Sequence, residues 1–130
     1  MLTINEENYP IISVHFEHIA TLEDTKKYLA HFDNWLSREQ QFGIILHQSK
    51  SQKSDTAQVE AVHQLIVQWT KRNKSKIAQF CVGMALVIDA AEILENRRKT
   101  APKTITAIYG CHGQVFATQT EARQWIQQQM

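Results

Sequence analysis

The clearest pattern in the chain is an uninterrupted apolar run over residues 80–88, which ends at Asp89. A strand with one face in water alternates polar and apolar residues, so an unbroken run predicts a strand covered on both faces. We expect it to be the central strand of a sheet. Its smaller face is predicted to carry Cys81, Gly83, Ala85 and Val87, and its bulkier face Phe80, Val82, Met84, Leu86 and Ile88.

Three more segments have the patterns of strands. Residues 9–16 alternate between two faces, residues 42–47 are short and largely apolar, and residues 114–117 fit a short edge strand. Residues 2–5 precede the first of these across a polar turn, so we expect them to form its hairpin partner.

Four helices are predicted from capping residues followed by apolar side chains at helical spacing. The second is expected to end at the basic cluster of residues 71–76, and the third by Pro102 at the latest, because proline disrupts a helix interior. Residues 104–109 fit both an alternating strand and one face of a helix, and the two interpretations stay open. The capping positions are Thr21, Asp55, Asp89 and Thr118.

The resulting order is two strands and then helix and strand in alternation, ending on a helix. Such alternation predicts an α/β fold with a mixed, mostly parallel sheet that is opened by an antiparallel hairpin and flanked by helices. The length of 130 residues fits one domain over residues 1–130.

Composition narrows the function classes. The net charge of +1 gives no general attraction to nucleic acid or to anionic membranes, so we expect neither as a partner. No apolar stretch reaches the roughly 20 residues of a membrane span, and the first residues do not resemble a signal peptide, so a cytoplasmic location is expected. The two cysteines would then be reduced thiols. Cys81 is expected to be a buried small side chain, and Cys111 the more exposed thiol.

Charge is distributed unevenly along the chain. Residues 1–24 contain acidic side chains and no Lys or Arg, whereas two later clusters are basic. Solvated helix ends explain the basic clusters simply, because cations offset the partial negative charge of the last carbonyls. The alternative is a dipolar surface that favours a homodimer. The basic residues are Lys71, Arg72, Lys74 and Lys76, and Arg97, Arg98, Lys99 and Lys103.

Several motifs along the chain are similar to those of one known family. They are the opening Tyr9-Pro10 strand, the helix start at residues 21–24, Trp69 with basic residues before residues 83–87, and the closing residues 114–118 and 121–126. On these motifs, which span nearly the whole chain, the protein resembles the SpoIIAA-like group of STAS domains, which are small cytoplasmic bacterial proteins. The resemblance implies a mixed sheet flanked by helices and a non-enzymatic role.

The resemblance also raises a regulatory alternative. Anti-sigma-antagonist STAS proteins are switched by phosphorylation of a serine within an Asp-Ser-Ser-Gly stretch at the start of the second helix. The matching residues 47–55 lack that stretch. Ser54 is the remaining phosphorylation candidate, because it directly precedes a predicted helix whose amino-terminal amides would favour a phosphate.

Histidine and cysteine supply the candidate reactive groups. His15 and His18 lie three apart, a spacing that on a strand points side chains to opposite faces, so they are not expected to bind a metal. Cys111 and His112 suggest a nucleophile and a base, although a turn between two glycines explains them more simply. A small enzyme that uses them, or that uses the sheet rim at Asp89, is the alternative to a binding function. No phosphate-binding or dinucleotide glycine motif occurs, and no cofactor is expected.

Two groups of residues are candidates for ligand binding. His47, Ser49 and Asp89 are expected at the carboxyl ends of parallel strands, where α/β sheets gather ligands, although helix capping explains Asp89 more simply. Aromatic and apolar side chains would form either core or a cavity between helices and sheet; they are Tyr28, Phe32, Trp35, Trp69 and Met84. The leading expectation is a non-catalytic cytoplasmic domain that binds a protein partner or a small apolar ligand.

Overall fold

A computed structural model describes residues 2–16, 22–48, 56–88 and 91–130 of the chain. Five strands and four helices alternate along it after an initial pair of strands. They are β1 (Leu2–Asn5), β2 (Ile11–Phe16), α1 (Leu22–Ser37), β3 (Phe42–Gln48), α2 (Thr56–Phe80), β4 (Cys81–Ile88), α3 (Ala91–Tyr109), β5 (Gly113–Phe116) and α4 (Gln119–Gln129).

The strands form one five-stranded sheet in the order β1-β2-β3-β4-β5. β1 and β2 are antiparallel, and every later neighbour pair is parallel. This confirms the predicted α/β class with a mixed, mostly parallel sheet opened by a hairpin. Over the described ranges, no helix is both long and apolar enough to cross a membrane.

The two faces of the sheet are covered differently. On the bulkier face, α1, α2 and α3 pack over Ile44 and Met84 and enclose the larger core. On the smaller face, α4 lies directly against β3 and β4, where Ile126 packs on Gly43 and Trp125 packs on Gly83. A Cβ atom on Gly83 would lie 2.7 Å from the Trp125 ring. The glycines therefore let α4 approach the sheet closely.

The first residues of β4 depart from the predicted alternation of side chains between the two faces of the sheet. The register between β3 and β4 shifts here, because Phe42 pairs with Cys81 but Gly43 pairs with Gly83, and the extra residue is Val82. Such a bulge exchanges the faces of the residues that precede it. Cys81 consequently joins the larger core beside Met84, and Val82 joins the α4 side, opposite to the faces predicted for them.

Two helices run further than the sequence pattern predicts. α2 continues past its basic cluster to Phe80, so Phe80 is helical and the central strand begins at Cys81. α3 continues through Pro102 to Tyr109, which resolves the ambiguous segment as helix. Ala101, Ile105 and Tyr109 recur every four residues and are all buried against the sheet. This packing offsets the hydrogen bond that proline cannot donate.

Candidate functional site

A pocket of about 280 Å³ opens at the edge of the sheet where β4 and β5 begin. Residues near the carboxyl ends of α2 and α3, together with the last residue of α4, form its walls. Both cysteines of the chain line it, so we call it the thiol pocket. Its other side chains are mostly polar and uncharged, and they include Gln41, Gln79, Thr106 and Gln129, with His112 at the same opening.

The bulge in β4 brings Cys81 to this pocket. Without the extra residue Val82, Cys81 would lie on the α4 side of the sheet. With it, Cys81 is 4% exposed within the larger core, and its thiol donates a hydrogen bond to the carbonyl oxygen of Gly83, 3.6 Å away. Bulges that aim a side chain in this way are frequent next to functional sites.

Cys111 is held on the other side of the pocket by the short connection between α3 and β5. Gly110 ends α3 in a left-handed conformation with φ +82°, and its N–H donates to the carbonyl oxygen of Thr106 at 2.9 Å. The N–H of Met84 then donates to the carbonyl oxygen of His112 at 2.8 Å, which ties the connection to β4. Cys111 is 5% exposed as a result, hardly more than the 4% of Cys81, so both thiols are buried.

Buried tyrosines adjoin the two thiols. Burial raises the pKa of Tyr109 from its usual 10.0 to about 12. Burial also raises the pKa of Tyr28, and the neighbouring Tyr109 hydroxyl adds to the effect. A hydrogen bond with the Cys111 side chain, followed by burial, raises the pKa of Cys81 well above its ordinary value of 9.0. These three side chains are therefore neutral at physiological pH.

The ends of three helices give the walls of the thiol pocket a partial negative charge. α2 ends at Phe80, α3 at Tyr109 and α4 at Gln129, and residues from the last turn of each helix line the pocket. The last carbonyls of a helix carry partial negative charge. The pocket therefore disfavours anions and suits neutral or cationic polar groups.

The thiol pocket lies at the amino ends of the parallel strands, whereas the predicted rim lies at their carboxyl ends. β3 begins at Phe42 beside Cys81, whereas His47 pairs with Val87 near the carboxyl ends of the strands. His47 stacks on His15 there, with ring centroids 4.6 Å apart. Ser49, Ser54 and Asp89 lie outside the described residues, so these candidates stay predictions.

The five candidates for an apolar pocket lie in the larger core. Phe32, Trp35 and Met84 are fully buried. The Phe32 ring contacts five others at centroid distances of 4.8 to 6.1 Å, and they belong to Tyr28, Trp35, Phe42, Trp69 and Tyr109. Trp69 is half-buried, and its indole N–H donates to Asp33 at 3.1 Å. An apolar ligand among these side chains would have to displace their mutual contacts.

Cys111 and His112 line one pocket, and the structure adds Cys81, which the sequence analysis did not group with them. His112 is exposed and lines the same pocket as Cys111. Cys81 was expected only to fill the core, and Gln41, Gln79 and Gln129 were not singled out. These residues are far apart in sequence, and only the sheet register and the helix ends bring them together.

The fold and the pocket define an α/β domain with a buried pair of thiols at one edge of its sheet. No protein-family model, no curated protein and no solved structure matches the chain. Among the side chains that the structure describes, no group of three or more His, Cys, Asp or Glu residues is placed to hold a metal ion.

Proposed function

We propose that this protein is a non-catalytic cytoplasmic binding domain and that the thiol pocket is its ligand site. The observation that carries the proposal is a pocket of about 280 Å³ lined mostly by uncharged polar side chains. Glutamine amides and a threonine hydroxyl can both donate and accept hydrogen bonds, and such groups orient a ligand in its site. A mixed sheet flanked by helices is the architecture that the SpoIIAA-like resemblance implies.

The lining favours a small polar ligand that is neutral or cationic. Gln41, Gln79 and Gln129 can each donate and accept a hydrogen bond, and three helix carboxyl ends add partial negative charge. The volume lies at the lower end of the range for small-molecule sites, so the occupant is small. This differs from the apolar ligand that the sequence favours, because the apolar candidates are packed as core.

Three probes of nearly equal size but different charge test this proposal. They are pivalamide, tert-butylammonium and pivalate, titrated separately into the 15N-labelled protein and followed by 1H–15N NMR. We expect the neutral and cationic probes to shift the amide signals of Gly110, Cys111 and His112, and the anion to shift them much less. Equal shifts from all three probes, or shifts confined to other parts of the protein, would contradict the proposal.

A pair of matched variants localises the binding. Gln79→Ala removes an amide from the wall of the thiol pocket, whereas Gln128→Ala removes an exposed amide from α4 next to the lining residue Gln129. The affinity for pivalamide should fall severalfold in Gln79→Ala and stay unchanged in Gln128→Ala. Equal affinities in the two variants would place the probe elsewhere.

Opposite charges favour a second candidate function, which is self-association with another copy of this chain. Lys71, Arg72, Lys74 and Lys76 are all exposed on α2, while Glu7 and Glu23 are exposed near the start of the chain. Sedimentation velocity at low and high salt tests this interaction. A homodimer that dissociates as salt is added supports it, and a monomer at low salt rules it out.

A further inference from the structure

The geometry points to a chemical role for the two cysteines: Cys81 and Cys111 form a dithiol site that a small hydroperoxide converts into an intramolecular disulfide. This site does not depend on the proposed ligand, because it requires only the two thiols and access to them. Three features support this role: the strand register, the shared pocket and the different surroundings of the two sulfur atoms.

The register brings Cys111, which lies two residues before β5, to the level of Cys81 at the start of β4. Met84 of β4 pairs with Gly113 of β5. Cys111 precedes Gly113 by two residues and Cys81 precedes Met84 by three, and the bulge at Val82 takes up the extra residue. Neighbouring strands are about 4.8 Å apart, which falls within the range of roughly 4.4 to 6.8 Å between the Cα atoms of a disulfide.

Both thiols also point into the same space. Cys81 and Cys111 belong to one buried cluster and both line the thiol pocket. They are only 4% and 5% exposed, so a bulky reagent has little access, whereas a hydroperoxide can enter a pocket of about 280 Å³. The walls restrict which oxidants reach the sulfur atoms.

The surroundings assign different roles to the two sulfur atoms. Cys81 donates its S–H to the carbonyl oxygen of Gly83, 3.6 Å away, and this hydrogen bond holds its proton. The attack on the peroxide is therefore assigned to Cys111, which lines the same pocket. Cys81 then acts as the resolving thiol. His112 lines the same pocket.

The reaction balances with hydrogen peroxide as the oxidant. The Cys111 sulfur attacks one oxygen, the O–O bond breaks, and the sulfur becomes a sulfenic acid while the leaving hydroxide takes the thiol proton of Cys111 and departs as water. The Cys81 sulfur next attacks Cys111 Sγ, the S–O bond breaks, the S–S bond forms, and hydroxide leaves with the Cys81 proton as a second water. Two sulfur atoms together lose two electrons, which the peroxide gains.

The test treats the folded, full-length chain with an equimolar amount of hydrogen peroxide. The protein is then denatured, alkylated with iodoacetamide and weighed by mass spectrometry. We expect a species lighter by two hydrogen atoms that takes up no alkyl group, and a peptide map that joins Cys81 to Cys111. Dithiothreitol should restore both thiols. Two alkylated cysteines after treatment, or disulfides only between different chains, would overturn the proposal.

Two variants separate the roles of the cysteines. In Cys81→Ala the sulfenic acid on Cys111 has no resolving partner, so dimedone should trap it. In Cys111→Ala we expect Cys81 to stay reduced under the same treatment. Oxidation of Cys81 at the wild-type rate in that variant would refute the assigned order. Thermal unfolding shows whether each variant is folded, and the linkage found in the wild-type chain decides the proposal where a variant is not.

Discussion

Individual side chains around the thiol pocket are neutral because they are buried next to one another. Tyr28, Tyr109 and Cys81 all have raised pKa values, for which burial is the leading cause at both tyrosines and a hydrogen bond with the Cys111 side chain at Cys81. A raised pKa of an acidic group means that folding favours its protonated form. Stability from these groups is therefore complete below their ordinary pKa values and declines as pH rises towards the values in the folded protein.

For Tyr109, the pH range over which stability declines is defined. Its pKa rises from 10.0 to about 12 on folding, so the free energy of unfolding should fall by about 2 kcal/mol through this residue as pH increases over that interval. Urea unfolding at several pH values measures the decline. Tyr109→Phe removes the titrating hydroxyl and should make the decline shallower. An equally steep decline in the variant would show that Tyr109 does not titrate in this way.

Glu6 is a second residue whose role can be isolated. Its Oε1 atom accepts hydrogen bonds from Trp35 Nε1 and Arg38 NH2, each 3.0 Å away, and Trp35 is fully buried. Glu6→Ala leaves the buried indole N–H without this acceptor and should cost about 1 to 3 kcal/mol of stability. Glu7→Ala at the exposed neighbouring position is the control and should change stability by less than about 0.5 kcal/mol. Similar losses in urea unfolding of both variants would refute this role.

Among the elements, β4 and α4 depend most closely on each other. The helix rests on two glycines of the sheet, and the bulge at the start of β4 decides which side chains face the helix and which face the pocket. The alternation of small and large residues predicts the close approach of a helix on the small face, and the packing of Trp125 on Gly83 agrees with it. The bulge has no signature in that alternation, because it depends on pairing with β3.

Gly83→Ala tests the contact between these two elements. The added Cβ would lie 2.7 and 2.9 Å from two carbons of the Trp125 ring, so we expect a loss of about 1 to 3 kcal/mol. In a Trp125→Leu background the same substitution should cost much less, because the ring that it meets is gone. Urea unfolding of the four proteins gives the coupling between the sites. An unchanged cost in both backgrounds would contradict the packing.

At the scale of the molecule, the sequence predicts the architecture better than the site. Alternating strand and helix patterns predict the α/β class and the hairpin, because both depend on local hydrophobic periodicity. The continuation of α3 through Pro102 is missed, since packing of Ile105 and Tyr109 against the sheet outweighs the local preference of proline. The thiol pocket is missed for a similar reason: Cys81 and Cys111 approach each other only through the register of β4 and β5.

A reagent that requires two neighbouring thiols shows whether the bulge in β4 brings Cys81 to the pocket that holds Cys111. Methylarsine oxide, which is small enough to enter a pocket of about 280 Å³, bonds such a pair through its arsenic with loss of water. Native mass spectrometry of the folded chain should show one arsenical per molecule, and none in Cys81→Ala or Cys111→Ala. A native chain that binds no arsenical, or a Cys81→Ala variant that still binds it, would contradict the account.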